Sequence, residues 1–236
     1  MEPVYGLPPV FRGPAADALP MSGQVNWGME AFGVAALRAR PHDPLTVGIV
    51  DTGVDDSHPL LSPNFKGARD FTGSPRGHRD VNGHGTHVSA TVCGVDPRVG
   101  VAAGFPFVHG KGLGDGGSGG SGLISAMWYC IEQGAEVVSN SWGGGGQNPS
   151  WEAEFRKMND AGVWLIFAGG NSGPNTPDTD WPGRSEQLIN VAALNADLSP
   201  AAFSSAGAKI DTSGPGVGIW SARPGGGFVQ MSGTSM

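Results

Sequence analysis

A chain of 236 residues is long enough for one globular domain with a sizeable core. Its 14 basic and 21 acidic side chains give a net charge of −7, which argues against a nucleic-acid or anionic-membrane partner. The 41 glycines follow no collagen period and cluster at 112–122, 143–146 and 225–227, the layout of tight turns and open grooves on a folded scaffold.

In chain order, residues 1–24 are rich in Pro, Ala and Gly and read as an extended N-terminal arm, with one α/β domain over 25–236. A helix is expected over Ala31–Arg40, ended by Pro41. Thr46–Val50 reads as a strand, His84–Cys93 as a helix with a small-residue packing side, and Phe105–His109 as a strand. Leu123–Gln133 reads as a helix presenting Ile124, Met127, Trp128 and Ile131 on one face. A strand at Glu136–Asn140, a helix at Ser150–Ala161 and strands at Val163–Ala168 and Leu188–Ala193 follow. Short strands at Ile210–Thr212, Gly218–Ser221 and Phe228–Ser232, joined by Gly/Pro turns, complete the pattern. This alternation predicts an α/β fold: a parallel sheet with helices on both faces, its strands apolar throughout because both faces are covered. Cys93 and Cys130 make no disulfide framework and read as buried free thiols on helices. No apolar run approaches the roughly 20 residues of a membrane span, and Met1–Tyr5 lacks the layout of a signal peptide, so a cytoplasmic location is expected.

Three segments carry candidate chemistry: Val47–Asp55, Gly83–Val88 and Ser232–Met236. Asp51 follows a β run and so stands at the carboxyl end of a strand, the edge where ligands bind in an open parallel sheet. His84 lies between two glycines at the opening of a helix, and Ser235 follows a β run and Gly233-Thr234. A serine hydroxyl becomes a nucleophile only beside a base, and an imidazole base needs a carboxylate to hold its tautomer. Taken singly, each residue is as well explained by a turn, a cap or a structural role. His84 and His87 do not read as a metal pair, because they lack the glutamate of HExxH and a third ligand at a useful spacing.

On the Asp segment, Asn82–Val88 and Gly233–Met236, met in the order Asp, His, Ser, the chain resembles the subtilisin-like serine proteases (subtilases) from about Trp27 to Met236. The resemblance implies a subtilisin-like three-layer fold and peptide-bond hydrolysis by Asp51, His84 and Ser235. It places an oxyanion-hole donor at Asn171, within Phe167–Gly173. It makes Gly117, Ser118, Gly119 and Gly120, with Ser141, Trp142 and Gly143, the two edges that sandwich an extended peptide. Asp180 would stand at or near the floor of the primary specificity pocket, favouring Lys or Arg, and Trp181–Pro182 is a candidate cis bond. The expected partner is a peptide or protein substrate, and by the same resemblance the arm over 1–24 is either a short propeptide or simply an N-terminal extension. No cofactor is expected: the loop over 93–100 is short and Leu60 replaces a carboxylate, so the tight calcium site of many relatives is expected to be absent, a weaker calcium site elsewhere staying open. The sequence stops one residue after Ser235, where the family continues with a helix, so a missing C-terminal segment is expected. Two other readings stand beside hydrolysis. One is an inactive truncated or pseudo-protease that binds peptides without cleaving them. The other is a nucleotide-binding protein using Gly114–Gly117, which lacks a P-loop lysine and a GxGxxG.

Overall fold

Short apolar strands separated by helices can bury both faces only in a covered parallel sheet, and seven of the strands form one. The computed structural model describes residues 4–17, 26–40, 43, 45–175 and 181–236. The arm supplies β1 (Tyr5–Gly6) and β2 (Phe11–Ala16). The helix expected over 31–40 is two short ones, α1 (Gly28–Ala31) and α2 (Val34–Arg38), because Gly33 turns the chain at φ 61°. Then follow β3 (Thr46–Asp51), β4 (Phe65–Asp70), α3 (His84–Cys93), β5 (Phe107–Lys111) and β6 (Ser118–Gly119). The chain continues through α4 (Gly122–Glu132), β7 (Ala135–Asn140), α5 (Pro149–Asp160), β8 (Trp164–Ala168) and β9 (Ile189–Leu194). It ends with β10 (Thr212–Pro215), β11 (Ile219–Ala222) and β12 (Phe228–Ser232). The strand β4 was not expected, since Phe-Lys-Gly-Ala-Arg-Asp neither alternates nor stays apolar; it is the sheet's edge.

The main sheet runs β10-β9-β8-β7-β3-β5-β4, every neighbouring pair parallel. From β3 the chain goes out to β4, returns through β5 and crosses to β7 on the other side. That reversal opens a crevice at the carboxyl ends of β3, β5 and β7. Side-chain alternation decides which way each residue faces. Val47 and Ile49 join Val88 and Phe107 under α3, while Val50 and Val108 join Leu123 and Met127 under α4. By the same parity the carboxylate of Asp51 lies on the α3 side.

The buried face of α4 differs from the expected one. Leu123, Ala126, Met127 and Cys130 are fully buried, whereas Ile124, Trp128 and Ile131 are only partly covered. Ala126 and Cys130 are small enough to lie directly over Gly110 and Gly48, so the helix rides close on the sheet. Cys93 and Cys130 are free, and burial pushes both thiols up to about 12. A second sheet, β11-β12-β2, is antiparallel, and the Trp181–Pro182 peptide bond is cis. Among the described residues no helix is long and apolar enough to cross a membrane.

Candidate active site

Asp51, the last residue of β3, meets His84, the first residue of α3. His84 Nδ1 and Asp51 Oδ1 are 2.8 Å apart, at 1% and 0% side-chain exposure. The approach depends on Gly85, where a Cβ would stand 2.2 Å from the Gly53 carbonyl oxygen. Asp51 Oδ1 also accepts from Thr52 N at 2.7 Å. Asp80 fixes the helix start: its Oδ1 accepts from Gly83 N (2.8 Å), Asn82 N (3.1 Å) and Thr52 Oγ1 (3.0 Å), and its Oδ2 from Thr86 N (2.8 Å). A carboxylate there satisfies the orphan N–H groups and suits the positive end of the helix. Thr52 Oγ1 closes the mesh by accepting from Gly85 N at 2.9 Å. A fully buried ammonium, Lys111 Nζ, donates to Thr52 O (2.7 Å), Arg79 O (3.0 Å) and Asp115 Oδ1 (2.6 Å). It thereby ties the Asp51 turn to the loop that leads into β6.

Ser235 stands beyond β12 and pairs reciprocally with Ser141. Its Oγ donates to Ser141 O at 3.2 Å, and Ser141 Oγ donates to Ser235 O at 3.2 Å. The buried His84 Nε2 has no hydrogen-bond partner among the described residues. The Asp51–His84 contact is made, and a Ser235–His84 hydrogen bond is not. The orientation of the Asn171 side chain follows from its neighbours. Its Oδ1 accepts from Thr234 N and Thr234 Oγ1, both at 2.9 Å, which turns Nδ2 the other way, where it donates to Pro9 O at 2.6 Å.

The acceptor Pro9 belongs to the chain's own arm. β1 lies in the groove as a central strand, Tyr5 opposite Gly119 and Gly6 opposite Ser118. Leu7 N donates to Gly117 O at 2.9 Å, and Gly6 and Gly143 exchange two bonds at 2.9 and 3.0 Å. The Tyr5 ring, 1% exposed, stacks on Trp151 at 4.3 Å and meets the edge of Trp142 at 6.0 Å. Beside Pro8 and Pro9 a cavity of about 250 Å³ is walled by Trp142, Gly143, Gly144, Ala168 and Gly170.

The model of the subtilase family matches residues 43–236. The chain belongs to the subtilase family. Among relatives, an intracellular serine protease of Paenibacillus polymyxa is 35% identical over 201 residues, 80% of this chain and 62% of the relative. Subtilisin DY of Bacillus licheniformis is 33% identical, over 80% of this chain and 71% of that protein. The major intracellular serine protease of Bacillus subtilis (strain 168) is 32% identical, over 81% of this chain and 64% of that protein. The chain thus spans less than two thirds of the first and third of these relatives.

In this subtilase Asp51 is joined to His84, Ser235 to Ser141, and Thr234, the neighbour of Ser235, to Asn171. Gly117, Ser118, Gly119 and Gly143 carry the main-chain contacts to the arm, and Trp142 is a wall. Gly120 lies past that ladder, its carbonyl accepting from Leu123 N, and Ser141 is engaged with Ser235. Asp180, the expected pocket floor, lies outside the described residues. No cluster of three or more metal-ligating side chains occurs among the described residues. Sequence reasoning missed Asp80, Lys111 and the arm's seat in the groove. The available signals were an acidic residue shortly before a helix start and a lysine closing a strand. Among the other buried histidines, desolvation holds His87 and His109 down at about 3 and about 4.

Proposed function

We propose that this chain is the core of a serine endopeptidase. Ser235 Oγ attacks the carbonyl carbon of a peptide bound as an extra strand between Gly117–Gly119 and Gly143. His84 Nε2 takes the hydroxyl proton, and Asp51 holds the Nδ1–H and stabilises the imidazolium that forms. For this step the Ser235 hydroxyl exchanges its bond to Ser141 O for one to His84 Nε2. The developing oxyanion takes hydrogen bonds from Asn171 Nδ2 and the Ser235 N–H. His84 then protonates the leaving amine, and water hydrolyses the acyl-enzyme with the same imidazole as base. The cavity beside Pro8 and Pro9 receives the side chain that precedes the cleaved bond.

One observation carries this reading: a peptide carbonyl rests 2.6 Å from the Asn171 amide while the same chain segment pairs with both groove edges. The arm itself mimics a bound substrate, which supports the view that residues 1–24 include a brief propeptide. Two relatives named as intracellular proteases support a cytoplasmic setting. A fluorophosphonate is expected to label the intact chain at Ser235, located by peptide mapping, and to leave Ser235→Ala unlabelled. Equal labelling of both, or labelling at another residue, overturns the assignment.

A further inference from the structure

The two oxygens of the Asp51 carboxylate are served unevenly. Oδ1 accepts from His84 Nδ1 and Thr52 N, while Oδ2, also buried, has no hydrogen-bond partner among the described residues. An ionised oxygen held away from water without a donor is costly, so the groups around it matter to the site. Asp51 lies on the α3 side of the sheet between β5 and β7. On β5, alternation turns Phe107, His109 and Lys111 to that side. Phe107 has no donor, and Lys111 Nζ gives its three hydrogens to Thr52 O, Arg79 O and Asp115 Oδ1. That leaves His109, which is fully buried, lies in register with Ile49 and has an Nε2 likewise without a partner among the described residues. From α3, Ser89 Oγ stands 3.2 Å from His109 Nδ1. This buried serine–imidazole pair sits in a layer otherwise built of Val47, Ile49, Val88 and Phe107, where an apolar side chain would need no partner. Burial holds the His109 ring at about 4, with His78 and Lys111 pushing the same way and the charge of Asp51 opposing them. The imidazole is therefore neutral at pH 7 and carries one N–H. On β7, Val138 packs under α4, so its neighbour Ser139 faces the α3 side, also level with Ile49.

Resting on the peptidase reading above, we propose that His109 is a positioning residue for Asp51, its neutral imidazole balancing the charge on Oδ2. Ser89 Oγ donates to His109 Nδ1, which fixes the ring proton on Nε2. The Nε2–H dipole then acts on Asp51 across the gap between β3 and β5, in a layer where little water screens it. With Oδ2 so balanced, the carboxylate keeps Oδ1 on Thr52 N and His84 Nδ1. That arrangement leaves His84 Nε2 to take the Ser235 proton. The same dipole offsets part of the Asp51 charge felt by His84, so removing it raises the pH at which His84 binds its proton.

The test compares the full chain with four substitutions. His109→Phe keeps the bulk and removes the N–H, His109→Gln keeps a donor at similar reach, and Ser89→Ala frees the tautomer. Ser139→Ala is the control on the other side of β3. The His84 imidazole is titrated by NMR of nitrogen-labelled histidine, peptide turnover is followed against pH, and thermal melts at pH 7 show that each chain is folded. His109→Phe is expected to lower kcat about tenfold with KM changed less than about twofold. It also moves the His84 titration and the acid limb of kcat/KM up by about half a pH unit. Ser89→Ala moves both the same way by less, His109→Gln returns them toward the unsubstituted chain, and Ser139→Ala leaves them in place. An unmoved His84 titration in His109→Phe, an equal shift in His109→Gln, or the same shift in Ser139→Ala overturns the proposal. Should His109→Phe fail to fold, Ser89→Ala decides in its stead, and an unmoved titration there overturns it. The titration needs no turnover, which separates the two ideas. The expected shift in a chain that cleaves nothing removes the peptidase reading and leaves the positioning role, and turnover with an unmoved titration does the reverse.

Discussion

The two halves of the arm are held by different physics. In the first, Tyr5 is 1% exposed between Trp151 and Trp142, and β1 is flanked on both sides by backbone. In the second, Phe11 is 53% exposed, and β2 lies at a sheet edge with β12 on one side only. Burial of a large aromatic ring in a closed pocket is worth several times a surface contact between two rings. The β1 half of the arm is thus held by a side-chain anchor, and the β2 half by backbone pairing with polar contacts at the rim.

That contrast can be tested in order of expected effect. Asn171→Ala acts at the junction of the halves, where it removes the amide that donates to Pro9 O and, in the proposed mechanism, to the oxyanion. Peptide turnover is expected to fall on the order of 10²–10³-fold, the magnitude known for subtilisin. A turnover unchanged by that substitution assigns the amide a purely structural role. Tyr5→Ala removes the anchor of the first half and weakens its docking by about 3 kcal/mol, or somewhat over a hundredfold. Hydrogen exchange over 117–119 rises accordingly while exchange over 228–232 changes far less; equal rises in both would erase the contrast.

Acidification acts next, on the platform under the second half. His87 Nε2 hydrogen-bonds Ile219 O at 3.1 Å, joining α3 to the β11–β12 sheet. Its folded pKa of about 3, and about 4 for His109, lie below the ordinary value of 6.5 because burial penalises the charged form. Below pH 6.5 the unfolded chain binds protons that the folded one refuses, so stability falls as pH drops from 6.5 toward 4. Each histidine contributes up to about 1.4 kcal/mol per pH unit. Thermal melts at stepped pH should show the decline, which His109→Phe reduces; a midpoint constant from pH 7 to 4 contradicts it. Phe11→Ala is the smallest change, under about 1 kcal/mol, read as a slight rise in exchange over 228–232.

Much of this was legible in the sequence where local structure and chemistry coincide. Asp51 ends an apolar strand, His84 opens a small-residue helix between glycines, and Ser235 follows a β run, so the motif residues carried their own structural addresses. The strand–helix alternation likewise announced the parallel sheet. What stayed hidden depends on partners far away in the chain. Asp80 meets Thr52 across 28 positions, Lys111 meets Thr52 across 59, and Asn171 meets Pro9 across 162. The arm has no period to read, because β1 and β2 borrow their pairing from edges that other elements create. In α4, hydrophobicity alone pointed to Ile124, Trp128 and Ile131, whereas close packing on Gly48 and Gly110 selected the side with Ala126 and Cys130.

The decisive measurement is the rate at which a fluorophosphonate labels Ser235 in the intact chain, compared with the same chain carrying Tyr5→Ala. If arm and substrate share one groove in front of an Asp51–His84–Ser235 centre, loosening Tyr5 speeds labelling by about a hundredfold. Equal rates in the two chains would mean that the arm does not guard the nucleophile.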